Sequence, residues 1–157
     1  MIPLIIISSI ILAIIGYSDV KARSFHVNYL FVLVACGICF FYLDAQVTAK
    51  DIFLNLVFLA LTFFSLFVYF SLRRKRWIDL FSDFIGIGDF LLFVALTPFF
   101  TSEEYLNFFM VSVSSALIVH LSLIIMRKTI RTIPLALYIG FGFYTIQLVD
   151  FFSKSFN

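Results

Sequence analysis

Long apolar stretches separated by short polar breaks run through the whole chain. Six stand out, at residues 2–17, 27–43, 52–72, 85–100, 105–126 and 133–152. Most approach the roughly 20 residues that carry a helix across a bilayer. The first, second and fourth are shorter, and they span only with tilt, local thinning or interfacial flanks. In hydrocarbon every backbone polar group must be paired within its own segment, so helices are the economical form. The pattern predicts an all-α, polytopic membrane protein, a bundle of about six transmembrane helices that forms one domain over residues 1–157. The start of the chain has no basic region and no small-residue cleavage site behind it. The first stretch is therefore expected to be a retained helix and not a removed signal.

Composition sharpens this picture. Of 157 residues, 63% are hydrophobic and only 13% are charged, a balance that one soluble core of this size cannot hide. The 23 Phe residues suit lipid-facing and helix-packing positions.

The breaks alternate in charge. The first carries Lys21 and Arg23, the third Arg73, Arg74, Lys75 and Arg76, and the fifth Arg127, Lys128 and Arg131. These are all but Lys50 and Lys154 of the 11 basic residues. The fourth break holds Glu103 and Glu104 instead. The positive-inside rule then puts the three basic loops in the cytoplasm and both termini outside it. The basic runs are explained by topology and by contact with anionic lipid. Nucleic acid is not an expected partner, because no soluble fold presents a basic surface.

Cys36 and Cys39 are spaced C-x-x-C, yet both fall inside the second apolar stretch. A structural zinc site wants four ligands, and no second pair exists, so they read as small apolar residues within a helix. No metal and no cofactor is expected.

The acidic residues divide into two groups. Asp44, Asp51, Glu103 and Glu104 fall in short outside loops and are read as solvated, Asp150 as interfacial, and Asp79 and Asp83 as cytoplasmic loop residues. Asp19 and Asp89 remain. Asp19 lies in Gly16-Tyr-Ser-Asp19-Val-Lys21-Ala-Arg23 at the end of the first stretch, and Asp89 in Gly86-Ile-Gly88-Asp89 near the start of the fourth. The expected topology sets both at one membrane level. An ionisable residue at the edge of hydrocarbon is a functional candidate.

Two carboxylates at one depth suit aspartyl protease chemistry. Repulsion between them leaves one protonated while the other is ionised. The ionised group activates water and the protonated group polarises a peptide carbonyl. Gly86 and Gly88 are read as permitting a tight entry into the fourth helix and as leaving room for an extended substrate beside Asp89. The plain structural alternative is a helix start whose dipole Asp89 complements.

Three motifs together resemble the type IV prepilin peptidase family of G-x-G-D membrane aspartyl proteases, in its short form. They are Asp19 followed by Lys21 and Arg23, Gly86-Ile-Gly88-Asp89, and the proline-led Ile133-Pro134-Leu-Ala-Leu-Tyr-Ile-Gly140. The resemblance covers essentially the whole length and implies a compact bundle of about six helices. It implies that Asp19 and Asp89 are the catalytic pair, with Gly86, Gly88, Lys21, Arg23 and Pro134 shaping the site or binding substrate. It also implies prepilin or pseudopilin precursors as substrates, cut behind a short basic leader at the cytoplasmic face of a bacterial inner membrane.

The chain departs from the family pattern at several points. Phe25-His26-Val27 stands where an Ile-Pro-Asn run is usual, and Leu91 where a Lys often follows G-D-x. The cysteine-rich cytoplasmic insert of the long members is missing, so N-methylation is not implied. These departures keep open a catalytically inactive scaffold or assembly factor on the same fold. A proton-coupled transporter is the third reading, but the outer halves of the first and fourth stretches offer few polar residues to line a path. Among the remaining polar residues, His120 is read as a hydrogen-bonded packing histidine in preference to one that tunes the aspartates, and His26 and Asn28 fit leader binding and interfacial anchoring equally well. Pro134 fits the first turn of a helix, where its missing N–H costs nothing.

Overall fold

The computed structural model describes residues 2–22, 27–43, 46–74, 86–125 and 135–156. Among these residues the chain is all-α, with six α-helices and no strand. The helices are α1 (Ile2–Ala22), α2 (Val27–Leu43), α3 (Ala49–Arg74), α4 (Ile87–Ala95), α5 (Ser102–Ile125) and α6 (Leu135–Phe156). One 3-10 turn, Thr97–Phe99, follows α4. Each expected apolar stretch has become one helix. Helices α3 and α5 are long and apolar enough to cross a membrane, and the other four contain shorter apolar runs.

The fourth helix differs most from expectation. The apolar pattern runs on to residue 100, but the α-helix stops at Ala95. Proline is the reason. Pro98 has no N–H to continue the ladder, and the chain tightens into the 3-10 turn instead. Leu96 caps the helix with φ −90° and ψ −7°, and Phe100 leaves in extended backbone at φ −136° and ψ 142°. Nine residues of helix rise only about 14 Å.

Two helix starts carry reciprocal caps. Thr48 N–H donates to Asp51 Oδ2 at 3.0 Å while Asp51 N–H donates to Thr48 Oγ1 at 3.3 Å. Thr101 N–H donates to Glu104 Oε2 at 2.9 Å, and Glu104 N–H returns to Thr101 Oγ1 at 3.5 Å. Both are capping boxes, which satisfy the orphan N–H groups of a first turn. The sequence reading of Asp51 and Glu104 as solvated loop acids is corrected here, since both are built into helix starts. Asp51 also reaches across the bundle, accepting at Oδ1 from Ser102 N–H at 3.2 Å and Ser102 Oγ at 2.8 Å.

Short α4 is the hub, packing on α2, α3 and α6. Helix α6 lies in its most extensive contacts between α1 and α5. Glycines set these close approaches. A Cβ on Gly16 would sit 3.1 Å from Leu137 Cα, and one on Gly140 would sit 3.6 Å from Leu12 Cβ. These two contacts make α1 and α6 antiparallel. A Cβ on Gly142 would collide with Ser112 Oγ of α5. Small residues at such crossings let helix backbones approach and gain dispersion contact.

The core is aromatic. Phe93, Phe99, Phe100, Tyr105, Phe108 and Phe143 are all fully buried. Phe100 stacks on Phe108 at 5.0 Å between centroids, and Phe99 meets Phe143 edge-on at 5.4 Å. Such pairs contribute about 0.5–1.5 kcal/mol each beyond their area. Phe58 against Phe109 and Phe63 against Phe90 fix α3 beside α5 and α4. Asp51–Ser102 and Phe58–Phe109 run in the same order along both chains, so α3 and α5 are parallel. Asn55–Thr97 and Phe63–Phe90 run in opposite orders, so α4 is antiparallel to α3.

Candidate active site

The pairing of helix directions decides where each acid lies. The starts of α3 and α5 and the 3-10 turn share one end of the bundle. The end of α1 meets the start of α6 through Gly16 and Leu137 at the other. Asp19 lies in the last turn of α1, one turn beyond Gly16, and is half-buried. Asp89 lies in the first turn of α4 and is half-buried as well. Asp89 is set apart from water by burial, and Asp19 lies near enough for its charge to reach it. Two carboxylates 70 residues apart in sequence therefore come within electrostatic reach.

Gly86 is the N-cap of α4 and is exposed. Its carbonyl accepts the N–H of Asp89 at 3.0 Å and of Phe90 at 3.3 Å, closing the first turn. Its backbone, φ −61° and ψ 133°, is extended and open to any residue. A tight glycine-only turn is therefore not what Gly86 supplies. What it supplies is space: a Cβ there would stand 3.3 Å from Oδ2 of Asp89. The carboxylate folds back over its own N-cap, and a methyl group would press on it. Gly88 is half-buried in the first turn of the same helix.

The far end of α4 is held by donors from two neighbours. Tyr105, fully buried on α5, donates from its hydroxyl to Phe93 O at 2.9 Å. Asn55, 2% exposed on α3, donates from Nδ2 to Thr97 O at 3.4 Å and to Phe100 O at 3.2 Å. Thr97 Oγ1 donates to Val94 O at 2.9 Å. These bonds satisfy carbonyls that the break at Pro98 frees from the helix ladder. Sequence reasoning passed over both Asn55 and Tyr105. A signal existed for Asn55, the one amide side chain within the stretch 52–72. For Tyr105 none did, because a tyrosine at the edge of an apolar stretch reads as an interfacial anchor.

The remaining sequence candidates fall as follows. Lys21 is exposed, with its Nζ 5.9 Å from the centre of the Tyr17 ring. Arg23, His26 and Pro134 lie outside the described residues, as do Asp79 and Asp83. Asn28 is exposed at the start of α2, and Leu91 is 38% exposed on α4. His120 is half-buried, and its Nδ1 has no hydrogen-bond partner among the described residues, against the expectation of a bonded packing histidine. Cys36 is buried and Cys39 exposed, both as free thiols on α2.

No protein-family model, no curated protein and no solved structure matches this chain.

Proposed function

We propose that the protein is a membrane-embedded aspartyl endopeptidase in which Asp19 and Asp89 activate water. It removes the short basic leader from prepilin-like or pseudopilin precursors at the cytoplasmic face of a bacterial inner membrane. The observation that carries the reading is that Asp19, in the last turn of α1, lies within electrostatic reach of Asp89, half-buried in the first turn of α4.

Several features support a six-span bundle in lipid. Large apolar side chains face outward on every helix, among them Ile10, Phe31, Phe64, Leu91, Ile118 and Phe141. A soluble monomer rarely leaves so continuous an apolar surface bare. Exposed hydroxyls turn back onto their own helices, Ser65 to Leu61 O, Ser122 to Ile118 O and Thr145 to Phe141 O, each at 2.8 Å. That is the economical arrangement where no water is available to bond. The alternating helix directions agree with serial crossing, and the basic breaks then share the end that holds the two aspartates.

The chemistry follows from the pair. With one proton between two carboxylates, the ionised group accepts a proton from water as it attacks the scissile carbonyl. The protonated group donates a hydrogen bond to the carbonyl oxygen and stabilises the charge developing there. The open side of Asp89 above Gly86 is where an extended peptide approaches. Lys21, exposed in the last turn of α1 just beyond Asp19, favours the interfacial position of the site. The substrate arrives laterally as an apolar helix with its basic leader in the cytoplasm.

The test is co-expression with a panel of type IV pilin-like precursors, with leader removal followed by mass. Wild type is compared with Asp19→Asn and Asp89→Asn at equal protein levels. Cleavage by wild type and its loss in each variant is the expected result. Cleavage that survives either substitution removes that residue from the mechanism. Failure to cut any precursor would favour an inactive scaffold on the same fold.

A further inference from the structure

Helix α4 is too short to be located by its length. At nine residues it covers little more than a third of α3, which has 26. Its position along the bundle axis is set by where its far end is fastened. The aromatic contacts along it, such as Phe63–Phe90 at 4.9 Å and Phe93–Phe109 at 5.1 Å, are non-directional. They tolerate a slide or a small rotation that directional hydrogen bonds do not.

Tyr105 holds Phe93 O within the helix at 2.9 Å, and Asn55 holds the turn that follows it. Both donors of the Asn55 amide are used, on the carbonyls of Thr97 and Phe100 that bracket Pro98. Both partners are carbonyls, so only the amide NH2 can face them. Asn55 is itself held in place, because it stands one helical turn after Asp51, which is bonded to Ser102. Residues from three elements thus close on the point where α4 ends, two helical turns from Asp89.

We infer that Asn55 is a positioning residue for the aspartate pair: by holding the carbonyls on either side of Pro98, it fixes the height and rotation of α4 and so brings Asp89 opposite Asp19. Its consequence for catalysis rests on the peptidase reading above, while its effect on geometry does not. Removing the amide leaves two buried carbonyls without a donor. Helix α4 then shifts to find other partners, and the carboxylates lose their register.

The test reads geometry first. In full-length protein in membranes, with Cys36→Ser and Cys39→Ser, the pair Asp19→Cys and Asp89→Cys is joined by a short bismaleimide. A second pair, Leu12→Cys and Gly140→Cys, reports on the α1–α6 contact, in which α4 supplies neither residue and where a 3.6 Å Cβ separation suits a disulfide. Each pair is measured with Asn55, Asn55→Leu and Asn55→Gln. With Leu, cross-linking at 19 and 89 should slow about fivefold to tenfold, the factor expected for one or two lost hydrogen bonds. The 12–140 disulfide should form as before, and Gln, which keeps the amide, should recover most of the rate at 19 and 89. An unchanged 19–89 rate in the Leu variant overturns the inference. So does a parallel loss at 12–140, which would make Asn55 a general stabiliser, or a Gln variant no better than Leu. In protein with both aspartates intact, Asn55→Leu should lower kcat and leave KM nearly unchanged. If the cross-links respond as expected while neither Asp→Asn change affects cleavage, the positioning role stands and the peptidase reading falls. If the cross-links do not respond while both Asp→Asn changes abolish cleavage, the reverse holds.

Discussion

The two ends of this bundle treat carboxylates in opposite ways. At one end Asp51 is surrounded by donors, with Thr48 Oγ1 at 2.6 Å and Ser102 Oγ at 2.8 Å. These hydrogen bonds, first from Thr48 and then from Ser102, hold its carboxyl down to about 2. At the other end Asp89 is half-buried, with Asp19 within electrostatic reach. The first arrangement favours the ionised form and ties α3 to α5. The second holds two carboxylates near each other, which disfavours two charges and costs stability. A carboxylate enclosed by donors is a fastener, whereas a carboxylate set against another is available for proton transfer. The same residue type thus serves structure at one end and, in the proposed reaction, chemistry at the other.

The largest expected effect separates the ends outright. Asp19→Asn or Asp89→Asn should lower leader cleavage by roughly 10²–10⁴-fold, the usual contribution of a positioned acid or base. Thermal stability of the purified protein should hold or rise, because a repulsion has been removed. A fall in stability comparable to that of Asp51→Ala would erase the distinction drawn here.

Gly86→Ala should come next. The added methyl presses on Asp89 Oδ2, and small displacements of a reacting group lower rates by roughly 10–100-fold. Because the Gly86 backbone is accessible to alanine, the melting temperature should stay close to wild type. Normal cleavage by this variant would mean that Asp89 does not work from the position it occupies here.

Asp51→Ala should have the contrary profile. Losing a capping-box partner costs about 1 kcal/mol of stability, read as a lower thermal midpoint in detergent. The cleavage rate per folded molecule should change little. A selective loss of cleavage at an unchanged midpoint would show that the far end does more than fasten helices.

The smallest effect is a pH dependence. Asp51 is held below its ordinary value of 3.8, at about 2, by hydrogen bonds to its ionised form. The folded state thus binds this proton less readily than the unfolded state. The stabilisation is present above the ordinary value and is lost as the pH falls through the folded one. The difference in thermal midpoint between wild type and Asp51→Asn should be steady down to pH 4 and shrink between pH 4 and pH 2. A difference that stays constant across that window would remove the charge from the account and leave only the packing of the cap.

Much of the fold could be read from the chain. Each of the six apolar stretches became a helix, the form in which a long apolar run pairs its backbone groups within itself. The second stretch matches α2 residue for residue. The candidate acids were also legible, since a charged residue inside an apolar run demands a reason. The early end of α4 could have been read from Pro98, but the hydrophobic count masked it. A proline near the end of a stretch leaves hydropathy intact and removes a backbone donor.

Other features depend on partners distant in sequence. Asp51 and Asp89 are the same residue type, each in the first turn of a helix, and local sequence cannot tell a fastener from a member of a pair. Ser102, far along the chain, helps fasten the one, while burial and then Asp19 distinguish the other. Gly86 has the same limit, because a glycine before a helix suggests a turn, while its use here depends on where Asp89 folds back. By itself the sequence determined the six apolar helices among the described residues and the chemical types available along them, since these follow from local composition and backbone hydrogen bonding. Only the tertiary structure decided which carboxylate lies among donors and which lies within electrostatic reach of another, because that depends on how helices cross, and crossing is set by small residues such as Gly16 and Gly140 at contacts far apart in the chain.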